Sequence, residues 1–319
     1  MFDLQGLEKA AALVHSVLPP TPQFAWPLLA ARTGAQVFVK HENHTPTGAF
    51  KVRGGLTYIE SLLRSGAPPK GLISATRGNH GQSLAFAARR AELPVVIVVP
   101  EGNSVEKNAA MRAFGAELIE SGRDFDAARE TAMQLATERA LRMVPSFHPE
   151  LVRGVATYAL ELFQSVRDLD TVYVPIGLGS GICGLIRTRD LLGLKTEIVG
   201  VVSREADAYA QSFEQGRLLT TESAITIADG MAVRVPMQDA LTLIRAGAAR
   251  VVRVSDPEIK AAMRAYHEDT HNLSEGAGAA PLAALLQEKE RQRGRRVGLI
   301  LTGGNIDRKV QAEVLAEVA

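Results

Sequence analysis

Thr171-Val172-Tyr173-Val174-Pro175-Ile176-Gly177-Leu178-Gly179-Ser180-Gly181 is the stretch on which the reading of this chain turns. Its first half is apolar and β-branched, without the alternation of a strand that faces water on one side. It therefore predicts a strand over Val172–Ile176 covered on both faces. The second half is a glycine-rich turn, and the run Ile182–Leu192 that follows predicts a helix. Strand, tight turn and helix in succession make half of a βαβ unit. The pattern recurs outward in both directions, with strands expected at Leu72–Ala75, Val95–Val99, Glu117–Ile119, Ile198–Val202, Val251–Val254 and Val297–Leu301, separated by helix-period segments. Together these specify an α/β protein with parallel-rich sheets covered by helices.

The chain has 319 residues, 46% of them hydrophobic, enough for one large domain or two unequal lobes around a sizeable core. Its 36 Lys and Arg against 35 Asp and Glu favour neither a nucleic acid nor a membrane, so small molecules and other protein chains are the expected partners. A single cysteine, Cys183, excludes an intramolecular disulfide and multi-cysteine metal sites, and it suits a reducing compartment. No basic segment followed by a long apolar one opens the sequence, and no run nears the roughly 18 apolar residues of a membrane helix. A cytoplasmic location is the expectation.

Ligands of open α/β sheets collect at the carboxyl ends of the strands. Three segments stand there: Thr76-Arg77-Gly78-Asn79-His80-Gly81-Gln82, Gly177–Gly181, and Thr302-Gly303-Gly304-Asn305. The amides of Gly177–Gly181 can ring a phosphate at a helix N-terminus. The same loop contains Gly179-x-Gly181-x-x-Gly184, with Glu205 at the end of the next strand, a match to the dinucleotide fingerprint that alone would support NAD. A tight strand-to-helix turn also needs glycine for purely structural reasons. What shifts the balance is Thr45-Pro46-Thr47-Gly48-Ala49-Phe50-Lys51-Val52-Arg53-Gly54-Gly55, which leads into a helix whose opening turn carries Lys51. The helix dipole disfavours an ammonium there, easing condensation of the amine with a carbonyl. Gly48, Gly54 and Gly55 permit close backbone approach, and Phe50 can cover an aromatic ring.

With these four segments in this order, the chain resembles the fold-type II pyridoxal 5'-phosphate (PLP) enzymes, specifically the serine/threonine dehydratase and serine racemase group. The resemblance spans nearly the whole chain. It implies a two-lobed, tryptophan synthase β-like fold, with residues 1–70 and 145–319 as the large PLP-binding domain and 71–144 as the small one. By resemblance, Lys51 carries the cofactor covalently, Phe50 lies against its ring, Asn79 bonds the ring hydroxyl, and Gly177, Leu178, Gly179, Ser180 and Gly181 hold the phosphate. Thr302 meets the pyridine nitrogen, and Glu275 matches a family glutamate near the ring. The implied substrate is an amino acid, with Arg77, Gly78, His80 and His148 as candidate contacts, and the family habit implies a homodimer. The implied reaction is loss of water from a β-hydroxy amino acid, giving a 2-oxo acid and ammonia. A neutral hydroxyl at Thr302, unlike a carboxylate, leaves the ring nitrogen unprotonated and favours prompt β-elimination over side reactions. The alternatives are a racemase of the same fold and, from a different class, an NAD-dependent oxidoreductase using Gly179-x-Gly181-x-x-Gly184.

The chain departs from the family in three places. Arg77 stands where threonine dehydratases have alanine and serine racemases have the serine that racemisation needs on the second face. Ala49 replaces a serine hydroxyl that would touch the substrate carboxylate; Arg77 could replace that contact with a bidentate one or bind a second acidic group. The positions of the family's divalent-cation ligands fall on Val202 and Ala208, with Glu205 and Asp207 out of register, so no metal is expected. A competing signal, His267-Glu268-Asp269-Thr270-His271, fits H-E-x-x-H, but Asn272, Ser274, Gly276 and Gly278 predict that the helix ends at or soon after the second histidine. Cys183 is expected as a small buried residue behind the phosphate loop.

Overall fold

A computed structural model of the chain describes residues 1–66 and 68–317. Its strands are β1 (Gln23–Ala25), β2 (Gln36–His41), β3 (Leu72–Ala75), β4 (Val95–Val99), β5 (Glu117–Glu120), β6 (Arg142–Met143), β7 (Thr171–Pro175), β8 (Glu197–Ser203), β9 (Arg250–Val254) and β10 (Arg296–Leu301). The larger sheet has the order β1-β2-β10-β7-β8-β9 and is parallel apart from β1, which pairs antiparallel with β2 at its edge. The smaller sheet, β5-β4-β3-β6, is parallel throughout.

All five residues of β4 are buried because helices cover both faces of the smaller sheet. Leu84, Met111 and Leu151 pack on one side, and Ala128 and Ala132 on the other. The larger sheet is covered likewise, by Leu185, Ile186, Leu241 and Ile244 on one face and Tyr266, Leu282 and Leu285 on the other. Each fully buried Leu or Ile contributes about 1.5–3 kcal/mol, which is why strands here can be apolar at every position.

The helix Lys51–Arg64 ties the two cores together. Phe50, just before it, packs against the core of the larger sheet, whereas Val52, Leu56 and Ile59 belong to the core under the smaller one. A Cβ on Gly54 would stand 2.7 Å from the Leu151 carbonyl oxygen, and one on Gly154 would stand 2.3 Å from that of Arg53. This helix and the helix Pro149–Val155 thus meet backbone to backbone. The close approach expected at Gly54 and Gly55 is real, but the approaching groups are that helix and Ser83, whose Oγ would lie 2.4 Å from a Cβ on Gly55.

A buried ion cluster fixes the same helix. The Arg53 guanidinium donates to both oxygens of Glu42, at 2.7 and 2.9 Å, and to both of Glu161, at 2.6 and 2.9 Å. Lys40 Nζ meets Glu161 at 2.5 Å. Lys40, Glu42 and Arg53 are fully buried.

Candidate active site

Lys51 is the first residue of its helix, and the segment before it is zipped to the segment after β10. Phe50 N donates to Thr302 O at 2.9 Å, Gly304 N donates to Gly48 O at 3.0 Å, and Ala49 bridges Gly303. Thr45 Oγ1 accepts from Ala49 N at 3.0 Å and holds the turn. The Lys51 amine lies 2.8 Å from Ser180 Oγ and 4.9 Å from the centroid of the Phe50 ring. Burial pulls its pKa down to about 8, with the charge of Glu275 opposing the shift. At neutral pH a useful fraction of this lysine is the free amine, a nucleophile and a base.

The glycine loop presents its backbone to Lys51. Gly179, at φ 99°, takes the left-handed conformation that ends β7 and opens the helix Ser180–Leu191. A Cβ on Gly177 would lie 2.3 Å from Gly230 O, so only glycine lets the two backbones pass. Among the described residues, the amides of Gly177, Leu178 and Gly179 donate to no backbone carbonyl. With the helix N-terminus and the Ser180 hydroxyl they form a donor-only cradle beside a cationic amine, which fits a phosphate. Leu178 contributes backbone alone, and its carbonyl accepts from the Tyr209 hydroxyl at 3.1 Å.

Asn79 opens the helix Asn79–Arg90 and is held from two sides. Its Nδ2 donates to Glu275 Oε1 at 2.7 Å, while its Oδ1 accepts from Asn305 Nδ2 at 2.8 Å. An amide nitrogen has two hydrogens, so one remains for another acceptor, such as the oxygen of an aromatic ring. Glu275 is 2% exposed and caps the helix Gly276–Gln287. Among the described residues its Oε2 has no hydrogen-bond partner. Burial pushes the carboxyl up and the Lys107 ammonium pulls it back, leaving its pKa raised at about 7. His80 is buried with Nε2 unpartnered, and burial together with the Lys51 charge pulls its pKa down to about 3, so the ring is neutral. Thr302 is buried beside Phe50 and Gly303. Lys51, His80 and Ser180 share a small cleft with Gly54, Ser146, Leu151 and Val155.

Two expected substrate contacts are placed differently from the rest. Arg77 is exposed, and among the described residues it has no ion-pair partner. His148 is taken up elsewhere: its Nδ1 accepts from Glu150 N at 3.2 Å as the cap of the helix Pro149–Val155, and its ring packs edge-on against Tyr58. Ser146, two residues earlier, is the residue of that segment that lines the cleft. Gly78 precedes Asn79, and a Cβ there would lie 2.4 Å from Lys107 Cδ.

The rival motifs are also placed. The helix Asp256–Thr270 stops before His271, which adopts the left-handed φ of 52°, so the two histidines do not share one helix face. Arg32 pairs with Glu268 and Asp269 instead. Glu205 accepts from the Ser203 hydroxyl at 2.8 Å, and Asp207 pairs with Arg253 at 2.8 Å. Val202 and Ala208 are buried aliphatic residues. Among the described residues no group of three or more His, Cys, Asp or Glu is arranged to hold a metal ion, and no helix is long and apolar enough to cross a membrane. Cys183 is buried, which pushes its thiol up to about 12. Missed from the sequence were Lys107, Asp229 and Ser146, together with the bonds Asn305 makes to Asn79 and Thr47.

Comparison with known proteins bears on this arrangement. A family model described as pyridoxal-phosphate dependent enzyme matches residues 15–303. An L-threonine ammonia-lyase of Geobacter sulfurreducens is 37% identical over 285 residues, covering 89% of this chain and 71% of that protein. An L-threo-3-hydroxyaspartate ammonia-lyase of Pseudomonas sp. is 32% identical over 308 residues, covering 96% of each. Among solved structures, maize serine racemase superposes with a TM-score of 0.91 at 27% identity, covering 98% of this chain and 96% of that one.

Proposed function

The chain belongs to the pyridoxal-phosphate-dependent enzymes, in the ammonia-lyase and dehydratase family, and from that premise we propose that it eliminates water from a β-hydroxy amino acid to give a 2-oxo acid and ammonia. One observation carries the reading. The Lys51 amine, its pKa drawn down to about 8, stands 2.8 Å from the Ser180 hydroxyl of the donor-only glycine loop.

PLP, when bound, supplies an electron sink for the negative charge that develops at Cα. The chain's residues do the rest. Gly177 to Gly181 hold the phosphate with backbone amides and the Ser180 hydroxyl. Phe50 would cover the ring, the remaining N–H of Asn79 would serve the ring hydroxyl, and Thr302 would offer a neutral hydroxyl to the pyridine nitrogen. Lys51 would hold the cofactor and, as a free amine, would take the substrate Cα proton. The electron pair left at Cα would form the Cα–Cβ double bond as the Cβ–O bond breaks, and the hydroxyl would leave as water with the proton held on Lys51. The enamine left behind takes up a proton and is hydrolysed to the 2-oxo acid and ammonia. No residue is proposed as a second base on the opposite face, because Arg77 occupies the position of the racemase serine and a guanidinium keeps its protons. His80, neutral beside Lys51, lines the substrate side with Gly78.

For the substrate, we propose a β-hydroxy amino acid bearing a second acidic group, of the 3-hydroxyaspartate type, with Arg77 as its partner. Arg77 is adjacent to Gly78 and Asn79 and free of competing carboxylates among the described residues, and a relative that acts on L-threo-3-hydroxyaspartate matches along almost the whole chain. The test is a panel of L-serine, L-threonine, 3-hydroxyaspartate and 3-aryl-serines, assayed for 2-oxo acid release and for the opposite enantiomer. Strongest release from 3-hydroxyaspartate supports the reading. Enantiomer formation without ammonia overturns elimination in favour of racemisation.

A further inference from the structure

We propose that Lys107 is a positioning residue of this reaction: its ammonium, carried on the helix Val105–Ala113 beside the smaller sheet, reaches Asp229 and Glu275 and holds Glu275 in the state that orients Asn79. The proposal rests on the functional reading above, since it gives Asn79 a cofactor to orient.

The geometry comes first. Lys107 is 6% exposed, and its Nζ lies 2.5 Å from Asp229 Oδ2 and 3.6 Å from Glu275 Oε2. Among the described residues that oxygen has no hydrogen-bond partner, while the other carboxylate oxygen accepts from Asn79 Nδ2 at 2.7 Å. The path of the lysine is built into the chain. Its stem runs over Gly78, where any Cβ would lie 2.4 Å from Lys107 Cδ, so glycine at the residue before Asn79 makes room for Lys107. The start of its helix is moored to the segment after Thr302: Ser104 Oγ and Glu106 N both donate to Asp307 Oδ1, at 2.5 and 3.2 Å, and Arg308 N donates to Glu106 at 3.0 Å. A long cationic side chain held at both ends in this way cannot be a solvated surface charge.

The electrostatics then give Lys107 something to do. The charged groups acting on Glu275 are Lys107 from one side, Asp229 from the turn Asp229–Met231, and Lys51 across the cleft, while Asp307 acts on Lys107. Burial pushes the Glu275 carboxyl up, Lys107 pulls it down and Asp229 pushes it up again, so its pKa stands at about 7. For Lys107 itself, Glu275 and Asp229 outweigh burial and raise its pKa, so it stays charged across the neutral range. An anionic Glu275 gives Asn79 a charge-assisted bond, about twice as strong as a neutral one. It also raises the pKa of Lys51.

The test uses two variants with opposite signs. Lys107→Met keeps the stem and removes the charge, and an opposite charge at this range is worth about 1–3 pKa units, so the Glu275 pKa should rise by at least about one unit, a tenfold change in its ionisation ratio. Asp229→Asn removes a negative charge and should lower it, and Lys107→Arg should hold it near the parent value. The Glu275 pKa is read from its carboxyl infrared band on the full chain, with and without PLP, using Glu275→Gln to assign the band. The acid limb of kcat/KM in the loaded enzyme should move the same way in each variant. A merely structural role predicts losses of one sign in both charge-removing variants. Shifts of opposite sign support the proposal. An unmoved infrared pKa in Lys107→Met, or a kcat/KM limb that ignores it, overturns the proposal, whereas a parent chain that binds no PLP overturns the functional reading instead.

Discussion

Replacing Arg53 with methionine keeps much of the side-chain volume and strips one charge from the buried cluster behind Lys51. Burial alone disfavours the guanidinium, yet Glu42 and Glu161 outweigh it and hold its pKa above the ordinary value. Burial alone would likewise push Glu161 up, but Arg53 and Lys40 outweigh it and draw the carboxyl down to about 2. In the variant, Glu161 keeps Lys40 at 2.5 Å and His15 at 2.8 Å, but Glu42 keeps only the Thr21 hydroxyl at 2.5 Å. A fully buried carboxylate thus loses the cation that is hydrogen-bonded to it, with only the nearby charge of Lys40 remaining. Removing one partner from a buried pair costs about 3–5 kcal/mol, and with an unfolding entropy of about 2.1 cal/mol/K per residue a chain of 319 residues should lose on the order of 4–8 °C in Tm. Calorimetry of the PLP-loaded protein at neutral pH measures this. The pH dependence provides a second check. Because the folded-state pKa of Glu161 is depressed, its contribution is present above the unfolded carboxylate value and is lost as pH falls through about 2. The gap in Tm between parent and variant should therefore narrow on acidification. Arg53→Lys, which keeps the charge but loses the fork, should fall in between. The Arg53 helix begins with Lys51, so the methionine variant should also retain PLP less firmly. An unchanged Tm at neutral pH, or a gap that does not narrow, would refute the reasoning.

Lys51→Ala should abolish turnover and leave no borohydride-stable cofactor adduct, with circular dichroism unchanged because little packing is lost; an adduct on another lysine would move the assignment. Arg77→Ala should raise KM for dicarboxylic substrates about ten- to a hundredfold while leaving serine and threonine unaffected, and a uniform loss across all substrates would assign Arg77 to the α-carboxylate. Thr302→Asp should slow elimination relative to racemisation or transamination, and Thr302→Ser should stay near the parent; product ratios by chiral chromatography decide it. Exhaustive chelation should change neither rate nor Tm, since Val202 and Ala208 offer no ligand oxygen; restoration by magnesium or calcium would show that Glu205 and Asp207 form a displaced site.

The strands that read clearly from the sequence were those built on runs of adjacent apolar residues. β3 and β4 lie at the residues expected, and β5, β7, β8, β9 and β10 differ by no more than one residue at either end. β2 escaped notice because Val37-Phe38-Val39 is followed by Lys40-His41-Glu42, three polar residues that read as the start of a loop. All three are buried, and the charges among them are met by Arg53, on the next helix, and by Glu161, far along the chain. Periodicity records which residues avoid water, and it cannot record which charges have found a partner.

The same limit decides what could be seen of the site. Lys51, Asn79, Gly177–Gly181 and Thr302 announce themselves because their chemistry needs a local backbone, a helix start or a glycine turn, that leaves a mark in adjacent residues. Lys107 leaves none. In Val105-Glu106-Lys107-Asn108 it reads like Arg112 five residues later, and only the fold puts Arg112 half in solvent against Glu120 while sending Lys107 over Gly78 to Asp229. The trace it does leave is displaced onto Gly78, a glycine that the sequence reading takes as a candidate substrate contact. Arg77 is the converse case, conspicuous in the sequence because it interrupts a known motif, yet exposed in the fold and without a partner among the described residues. A residue that departs from a pattern signals a change in what is bound, and a residue that fits no pattern can still set the charge of one that does. Glu275, with its pKa at about 7, is the point where the two proposals meet: its neighbours set its charge and so the bond it offers Asn79, while Arg77, next but one in sequence to Asn79, is the residue proposed to select the substrate.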